Sequence, residues 1–287
     1  MIYDFTELFY FVDDFCEAFE HWWHKQLVDS GVVKRNRKCR IHLSEITTIV
    51  IAYHQAGMKC FKSYYKYLVV HHSRDFNLVC YDRFVALIKR AFPVIAALMY
   101  VLLGKATEIH FVDSTPYKVS HICRRYSHKV FSGLAATAKT STGWFHGLKL
   151  HFIFNGQGEI IKLAITPGNV DDRKGLKQLV KGLVGKIFGD RGYIGTEFFK
   201  DLFAGGLRLV TRLRKNMKNI LMEFNDRACL SKRMVVETIF SSIKSCGTFE
   251  HSRHRNVINA FCHILSGLIA YQLRPIKPCF LNNQTLT

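Results

Sequence analysis

The spacing of apolar residues changes near residue 104, and the change divides the chain into two parts with different secondary structure. Upstream, Phe5, Leu8, Phe9, Val12, Phe15, Cys16 and Phe19 recur at three- and four-residue steps, the period of a helix with one buried face. Ile46, Ile49, Val50 and Tyr53 repeat the pattern, as do Phe84, Leu87 and Ile88. Downstream, Ile109-His-Phe-Val112 is a short β-type run, ended by Asp113-Ser-Thr-Pro116. Trp144, His146, Leu148, Leu150, Phe152 and Phe154 then alternate with other residues up to Asn155. Asn155-Gly-Gln-Gly158 predicts a turn into a strand over 159–165, closing a hairpin. Helices are expected around 176–183 and 197–203, strands at 186–188 and 207–210, and helix again from 231 to about 273.

Three strands, helix, strand, helix, strand and terminal helices predict an α/β fold: a ribonuclease H-like mixed five-stranded sheet with flanking helices, preceded by an all-helical N-terminal domain. The expected domains are 1–103 and 104–287. The basic run Lys34-Arg-Asn-Arg-Lys-Cys-Arg40 reads equally as a solvated loop or as the phosphate-contacting edge of a helical DNA-binding module.

Charge narrows the partners. The chain has 41 Lys and Arg against 22 Asp and Glu, a formal charge of +19. Six of the acids, Asp4, Glu7, Asp13, Asp14, Glu17 and Glu20, lie in a stretch without Lys or Arg, so the remainder is more basic still. Such an excess points to a polyanion, nucleic acid before a membrane surface. Residues 91–104 are apolar but contain Pro93 and fall short of the ~20 needed to cross a bilayer. Asn259, His263, Ser266 and Gln272 interrupt the other long apolar stretch. Both read as buried helices, and the acidic N-terminus is unlike a secretory leader, so a cytoplasmic protein without membrane contact is expected. The nine cysteines include no CxxC pair and read as reduced thiols in apolar surroundings, without zinc-ligand spacing. Gly156-Gln-Gly158 lacks the third glycine of a dinucleotide turn, and no Walker loop or Gly-x-Ser-x-Gly elbow is present.

Three carboxylates stand out. Asp113 and Asp190 each follow a short apolar strand, where ligand sites of α/β sheets gather. Glu237 lies in a helical segment in which Val236, Phe240 and Ile243 form the apolar stripe, while Arg233, Glu237 and Lys244 fall on another face. Hard cations such as Mg²⁺ favour carboxylate oxygens and complete their shell with water and phosphate. Arg191, Arg233 and Lys244 could then hold a phosphate backbone. Each acid also has a local explanation: Asp113 and Asp190 as turn residues, Glu237 as the partner of Arg233 in a surface ion pair.

Several blocks in order resemble a known family. Phe111-Val-Asp113-Ser-Thr-Pro116, Lys129-Val-Phe-Ser-Gly-Leu-Ala135, Ser141-Thr-Gly-Trp-Phe145, Gly147-Leu-Lys-Leu-His151, Thr166-Pro-Gly-Asn-Val-Asp-Asp-Arg173, Phe188-Gly-Asp-Arg-Gly-Tyr-Ile194, Arg212-Leu-Arg-Lys-Asn-Met-Lys218 and His251-Ser-Arg-His-Arg255 resemble prokaryotic insertion-sequence DDE transposases, within them the insertion-sequence nine-eight-two group. Ala138 and His146 depart from the family pattern, where Gly and Tyr are expected.

The resemblance implies that Asp113, Asp190 and Glu237 are the catalytic, metal-binding triad. It implies Mg²⁺, replaceable by Mn²⁺, as a pair of ions. It makes Arg233 and Lys244 phosphate contacts, and Lys149, Arg173, Arg191, Arg214, Lys215, Arg253 and Arg255 further DNA-binding candidates. The implied partner is double-stranded DNA, both the element's terminal inverted repeats and the target, held by a homodimer. Asp171 and Asp172 look like a helix start rather than metal ligands. Two rival readings remain: a nuclease of the same fold that does not transpose, and a DNA-binding element remnant without catalysis.

Overall fold

The computed structural model describes residues 4–30, 39–141, 143–213, 217, 222–245 and 254–280, apart from the side chains of His24 and Leu27. In chain order these form α1 (Phe5–Asp29), α2 (Leu43–Gln55), α3 (Phe61–His71), α4 (Tyr81–Ile88), α5 (Phe92–Val101), β1 (Ile109–Ser120), β2 (Ala136–Thr140), β3 (Gly143–Asn155) and β4 (Ile160–Pro167). Then follow α6 (Asp172–Leu179), β5 (Gly185–Gly189), α7 (Thr196–Ala204), β6 (Leu207–Thr211), α8 (Phe224–Lys232), α9 (Val235–Lys244) and α10 (Val257–Gln272). The chain divides into two compact units: Met1–Leu102 with Ile243–Pro275, and Leu103–Ser242 with Ile276–Thr287.

The first unit is helical. Leu8, Val12 and Cys16 of the expected α1 stripe are buried, and the Asp4 side chain accepts the Thr6 N–H at the helix start. α2 is buried from Ser44 to His54, and α10 packs on α2 and α5. The division 1–103 and 104–287 read from sequence placed α10 with the sheet. In the structure its apolar face, including Ile264, Leu268 and Tyr271, belongs to the helical unit, because a sheet followed by a helix does not specify in sequence which core the helix joins. α3 had no counterpart in the sequence reading. From Tyr81 to Val101 the helical run is long and apolar enough, by length and composition alone, to cross a membrane. Phe84, Leu87, Ile88, Ala91, Val94, Ile95 and Leu98 are buried at helical steps within the unit, which makes the run a core element.

The second unit holds a mixed sheet of order β2-β3-β1-β5-β6, with β4 beside the second half of β3. β1, β3 and β4 are antiparallel neighbours, and β1, β5 and β6 run parallel. This is the ribonuclease H-like order, with one strand more than the five expected: β2, which pairs with the first half of β3. β2 escaped the sequence reading because Ala-Thr-Ala-Lys-Thr has little apolar alternation. The β3–β4 hairpin forms as its turn residues require. Gly158 takes a φ of 79°, and the buried Asn155 Oδ1 accepts the N–H groups of Gln157 and Glu159 at 3.1 and 3.0 Å. Ala138 and His146, the departures from the family pattern, lie at this β2–β3 edge, where His146 Nδ1 is 3.1 Å from Thr137 Oγ1.

Asp113 does not end its strand. β1 continues through Pro116 to Ser120 because β3 pairs with it along that whole length. What ends is the pairing with β5, which covers only Ile109 to Phe111. Pro116 therefore sits where one neighbour has been lost, a place that tolerates a residue without an N–H. The cysteines also differ from expectation. Cys16, Cys229 and Cys262 are buried, but Cys60, Cys80, Cys123 and Cys279 are exposed, the first two at the N-caps of α3 and α4.

Phe111 anchors the sheet face. It is fully buried, with its ring 3.8 Å from Phe280 and 5.4 Å from Phe188 between centroids. Phe111→Ala should cost about 3–5 kcal/mol, read as a lower urea midpoint, whereas Phe203→Ala at an exposed position should stay within about 0.5 kcal/mol.

Candidate active site

Two parallel strands set the site. The last paired residues of β1 and β5 are Phe111 and Phe188, and Asp113 and Asp190 stand two positions beyond them on the same face. Gly189 allows the close approach, since a Cβ there would lie 3.0 Å from Val112 Cγ1 and 3.1 Å from the Tyr193 ring. Arg233, which follows α8, donates from Nη1 to Asp113 Oδ2 at 2.8 Å, and its Nη2 lies 3.8 Å from Asp190 Oδ1. One guanidinium thus bridges two carboxylates. The Ser114 N–H donates to Asp113 Oδ1 at 2.8 Å.

Burial pushes the Asp113 carboxyl up to about 6, against the opposing pull of Arg233 and the Ser114 N–H, and the nearby charge of Asp190 pushes the same way as burial. Its side chain retains 23% exposure and that of Asp190 59%, so the pair opens to solvent from the Asp190 side.

Glu237 is placed differently. It is exposed on α9, one helical turn after Arg233. Phe240, further along the same helix, lies 5.7 Å from Phe152 and 6.1 Å from Phe154 between ring centroids, and Phe152 is the cross-strand partner of Asp113. α9 therefore lies over the sheet face that carries the aspartates. Among the described residues no three His, Cys, Asp or Glu side chains gather closely enough to hold an ion, so Glu237 does not join the aspartates in this arrangement. It does not pair with Arg233 either among the described ion pairs, because Arg233 is turned to Asp113. Two carboxylates gathered around one cationic group supply the hard oxygen donors that suit Mg²⁺ or Mn²⁺, so Asp113 and Asp190 fit such an ion.

The other residues singled out in the sequence scatter. Lys149 is turned inward, with 16% exposure, donating to the Val170 carbonyl at 3.0 Å and lying 3.2 Å from Asp172 Oδ1. Arg173 is exposed and grips Asp171 through Nε and Nη2, both at 2.9 Å. Asp171 caps α6, and the hydrogen bonds from Arg173 hold its carboxyl down to about 2. Arg191 is exposed beside Asp190, and Lys244 ends α9 half-buried. Arg255 is exposed in the helical unit. Arg214, Lys215, Arg253 and most of the basic run 34–40 lie outside the described residues. Sequence reasoning missed Ser114 and Tyr193, and it treated Asp172 only as part of a helix start. A strand residue facing away from the candidate acids carries no motif signal.

Two parallel strands that bring carboxylates side by side where their pairing ends give a mixed α/β sheet of the ribonuclease H type a candidate ligand site. Residues 103–257, just over half the chain, match the transposase DDE domain, and the chain belongs to that family. Over 66% of this chain and 52% of the other, the structure is similar to the piggyBac transposase in a cryo-EM synaptic complex with hairpin DNA, with a TM-score of 0.44 and 10% identity. The chain thus spans about half the length of that protein. A search of curated proteins found no match.

The raised Asp113 value fixes the sign of a pH effect. A carboxyl held higher in the folded than in the unfolded chain contributes stability that is whole below about pH 4 and lost as pH rises through about 6. In the metal-free protein, Asp113→Asn should therefore gain on the wild type between pH 4 and 7, by on the order of 2 kcal/mol in urea denaturation. Parallel pH profiles for the two proteins would contradict the assignment.

Proposed function

We propose that this chain is an insertion-sequence transposase that cleaves DNA at element ends and joins a freed 3′-hydroxyl to target DNA, with Asp113, Asp190 and Glu237 as its acidic residues. The nine-eight-two group fits the sequence blocks around Asp113 and Asp190. The observation that carries the proposal is the Asp113–Arg233–Asp190 cluster just past the point where the parallel pairing of β1 and β5 ends, within the region that matches the transposase DDE domain. Asp113 and Asp190 would hold Mg²⁺ or Mn²⁺, with Glu237 completing the acidic set from α9. A pair of such ions supplies activation of an attacking water or hydroxyl and neutralises charge on the leaving oxygen.

The chain's own residues account for the rest. The two carboxylates bring negative charge to the place where the β1–β5 pairing ends. Arg233 neutralises that charge in the free protein and offers the same guanidinium to a phosphate oxygen, for which its planar fork is suited. Arg191, exposed next to Asp190, and Arg173, whose surface pair with Asp171 is easily exchanged, are candidates for DNA backbone contact. The strong positive charge draws the polyanion from a distance and makes binding salt-sensitive. Holding two element ends together calls for two copies of the chain.

Two experiments test the reading. Asp113→Asn and Asp190→Asn should each lower Mg²⁺-dependent cleavage and joining of element-end DNA by at least about a thousandfold while leaving DNA affinity nearly unchanged. Cleavage at wild-type rates would refute the assignment, and cleavage without joining would favour a plain nuclease. Arg233→Gln should tighten Mn²⁺ binding to the DNA-free protein by about three- to tenfold, since it removes a like charge beside the ion, while cleavage falls. Unchanged Mn²⁺ affinity would show that Arg233 does not guard the carboxylates.

A further inference from the structure

The sheet has a second polar layer directly behind Asp113. Side chains alternate along β1, so Asp113 faces α9 while Ser114 faces α6 on the opposite side. There the Ser114 hydroxyl donates to Asp172 Oδ1 at 2.7 Å. Asp172 opens α6, and the Lys149 ammonium from β3 lies 3.2 Å from the same oxygen while donating to the Val170 carbonyl at 3.0 Å. His151, also from β3 and 1% exposed, places Nδ1 3.7 Å from Asp172 Oδ1, and its Nε2 is 2.9 Å from Thr166 Oγ1. Its burial holds the ring down to about 4, so it is neutral. The α6 backbone comes close at Gly175, where a Cβ would lie 2.5 Å from the His151 ring.

This layer reaches Asp113 through one residue. Ser114 uses its side chain to hold Asp172 and its backbone N–H to hold Asp113 Oδ1, so the peptide between Asp113 and Ser114 is pinned from behind. The buried Tyr193, three residues after Asp190, brings its hydroxyl close to Ser114. The only hydrogen bonds described to the Asp113 carboxylate come from Ser114 and Arg233. If Arg233 turns to phosphate, the Ser114 N–H is the remaining one that sets the carboxylate's direction.

We propose that Ser114, braced by Asp172 and Lys149, is a positioning residue that orients the Asp113 carboxylate for a divalent cation. The proposal rests on the reading of Asp113 as a metal-holding residue. Asp172 is not itself a ligand in this scheme, because it lies on the opposite face of the strand. Lys149 is a structural counter-ion for Asp172 rather than a DNA contact.

The test compares Ser114→Ala, Ser114→Thr, Asp172→Asn and Asp113→Asn in the full chain. Mn²⁺ affinity is measured by calorimetry without DNA, and kcat and KM for element-end DNA are measured with Mg²⁺. Ser114→Ala and Asp172→Asn should weaken Mn²⁺ binding by about tenfold and lower kcat by a similar factor, with KM unchanged and far-UV circular dichroism native, the size of effect seen when partners of metal ligands are removed. Ser114→Thr, which keeps the hydroxyl, should restore both to within about twofold of wild type. The positioning role is overturned if Asp113→Asn loses Mn²⁺ while Ser114→Ala and Asp172→Asn bind it as wild type does. It is overturned too if Ser114→Thr is as impaired as Ser114→Ala, because packing and not the hydroxyl would then matter. Should Asp113→Asn bind Mn²⁺ like the wild type, the metal reading of Asp113 fails first, and nothing remains for Ser114 to orient.

Discussion

A carboxylate that is mostly withdrawn from water needs a countercharge, and Asp113 has one in Arg233 at 2.8 Å. Much of the second unit is arranged to bring that pair about. The parallel register of β1 and β5 puts Asp113 and Asp190 side by side. The loss of β5 as a neighbour after Phe111 opens the space in front of them. α8 delivers Arg233 from the other direction, and it is fastened to the sheet by the nearly buried Asp226, which takes the Lys186 ammonium of β5 at 2.7 Å. Lys186 also holds Glu223 at 2.7 Å, so the base of α8 is tied at two points to the strand that leads to Asp190. Position and charge at the site thus follow from strand register and helix docking rather than from the local sequence of any one motif.

The two faces of β1 divide the work. The Asp113 face is lined with aromatic rings, Phe111, Phe152, Phe154, Phe188 and Phe240, which exclude water beneath the carboxylate and raise its proton affinity. The Ser114 face carries the polar group of Lys149, His151 and Asp172 above an aliphatic core that includes Val112, Ile153 and Leu176. An apolar platform on one side and a polar brace on the other hold a strand that has lost a hydrogen-bonding neighbour on one edge.

Much of this was legible in the residues. The change of apolar period places helices before about residue 104 and the sheet after it, the Asn155–Gly158 turn locates the hairpin, and Asp190 directly follows its strand as the sequence predicts. What stayed hidden was non-local. β1 outlasts Asp113 because β3 supports it, and nothing in Asp113-Ser-Thr-Pro116 shows that support; the sequence there reads as a stop. The carboxylate partners of Lys149 and Arg233 stay hidden in the sequence because a cation near a candidate site has no visible partner until separate parts of the chain are brought together. Their partners, Asp172 and Asp113, lie far away in sequence. Glu237 was legible as a helix residue off the apolar stripe, but its separation from the aspartates depends on how α9 settles on Phe152.

The central claim is that Asp113 and Asp190 together hold a divalent cation. Crystals of the protein soaked in Mn²⁺ and measured at the manganese absorption edge test it most directly. The account predicts an anomalous peak within coordination distance of both aspartate carboxylates, with the Arg233 guanidinium displaced from between them. A peak elsewhere, or an unchanged Arg233 bridge at saturating Mn²⁺, would contradict it.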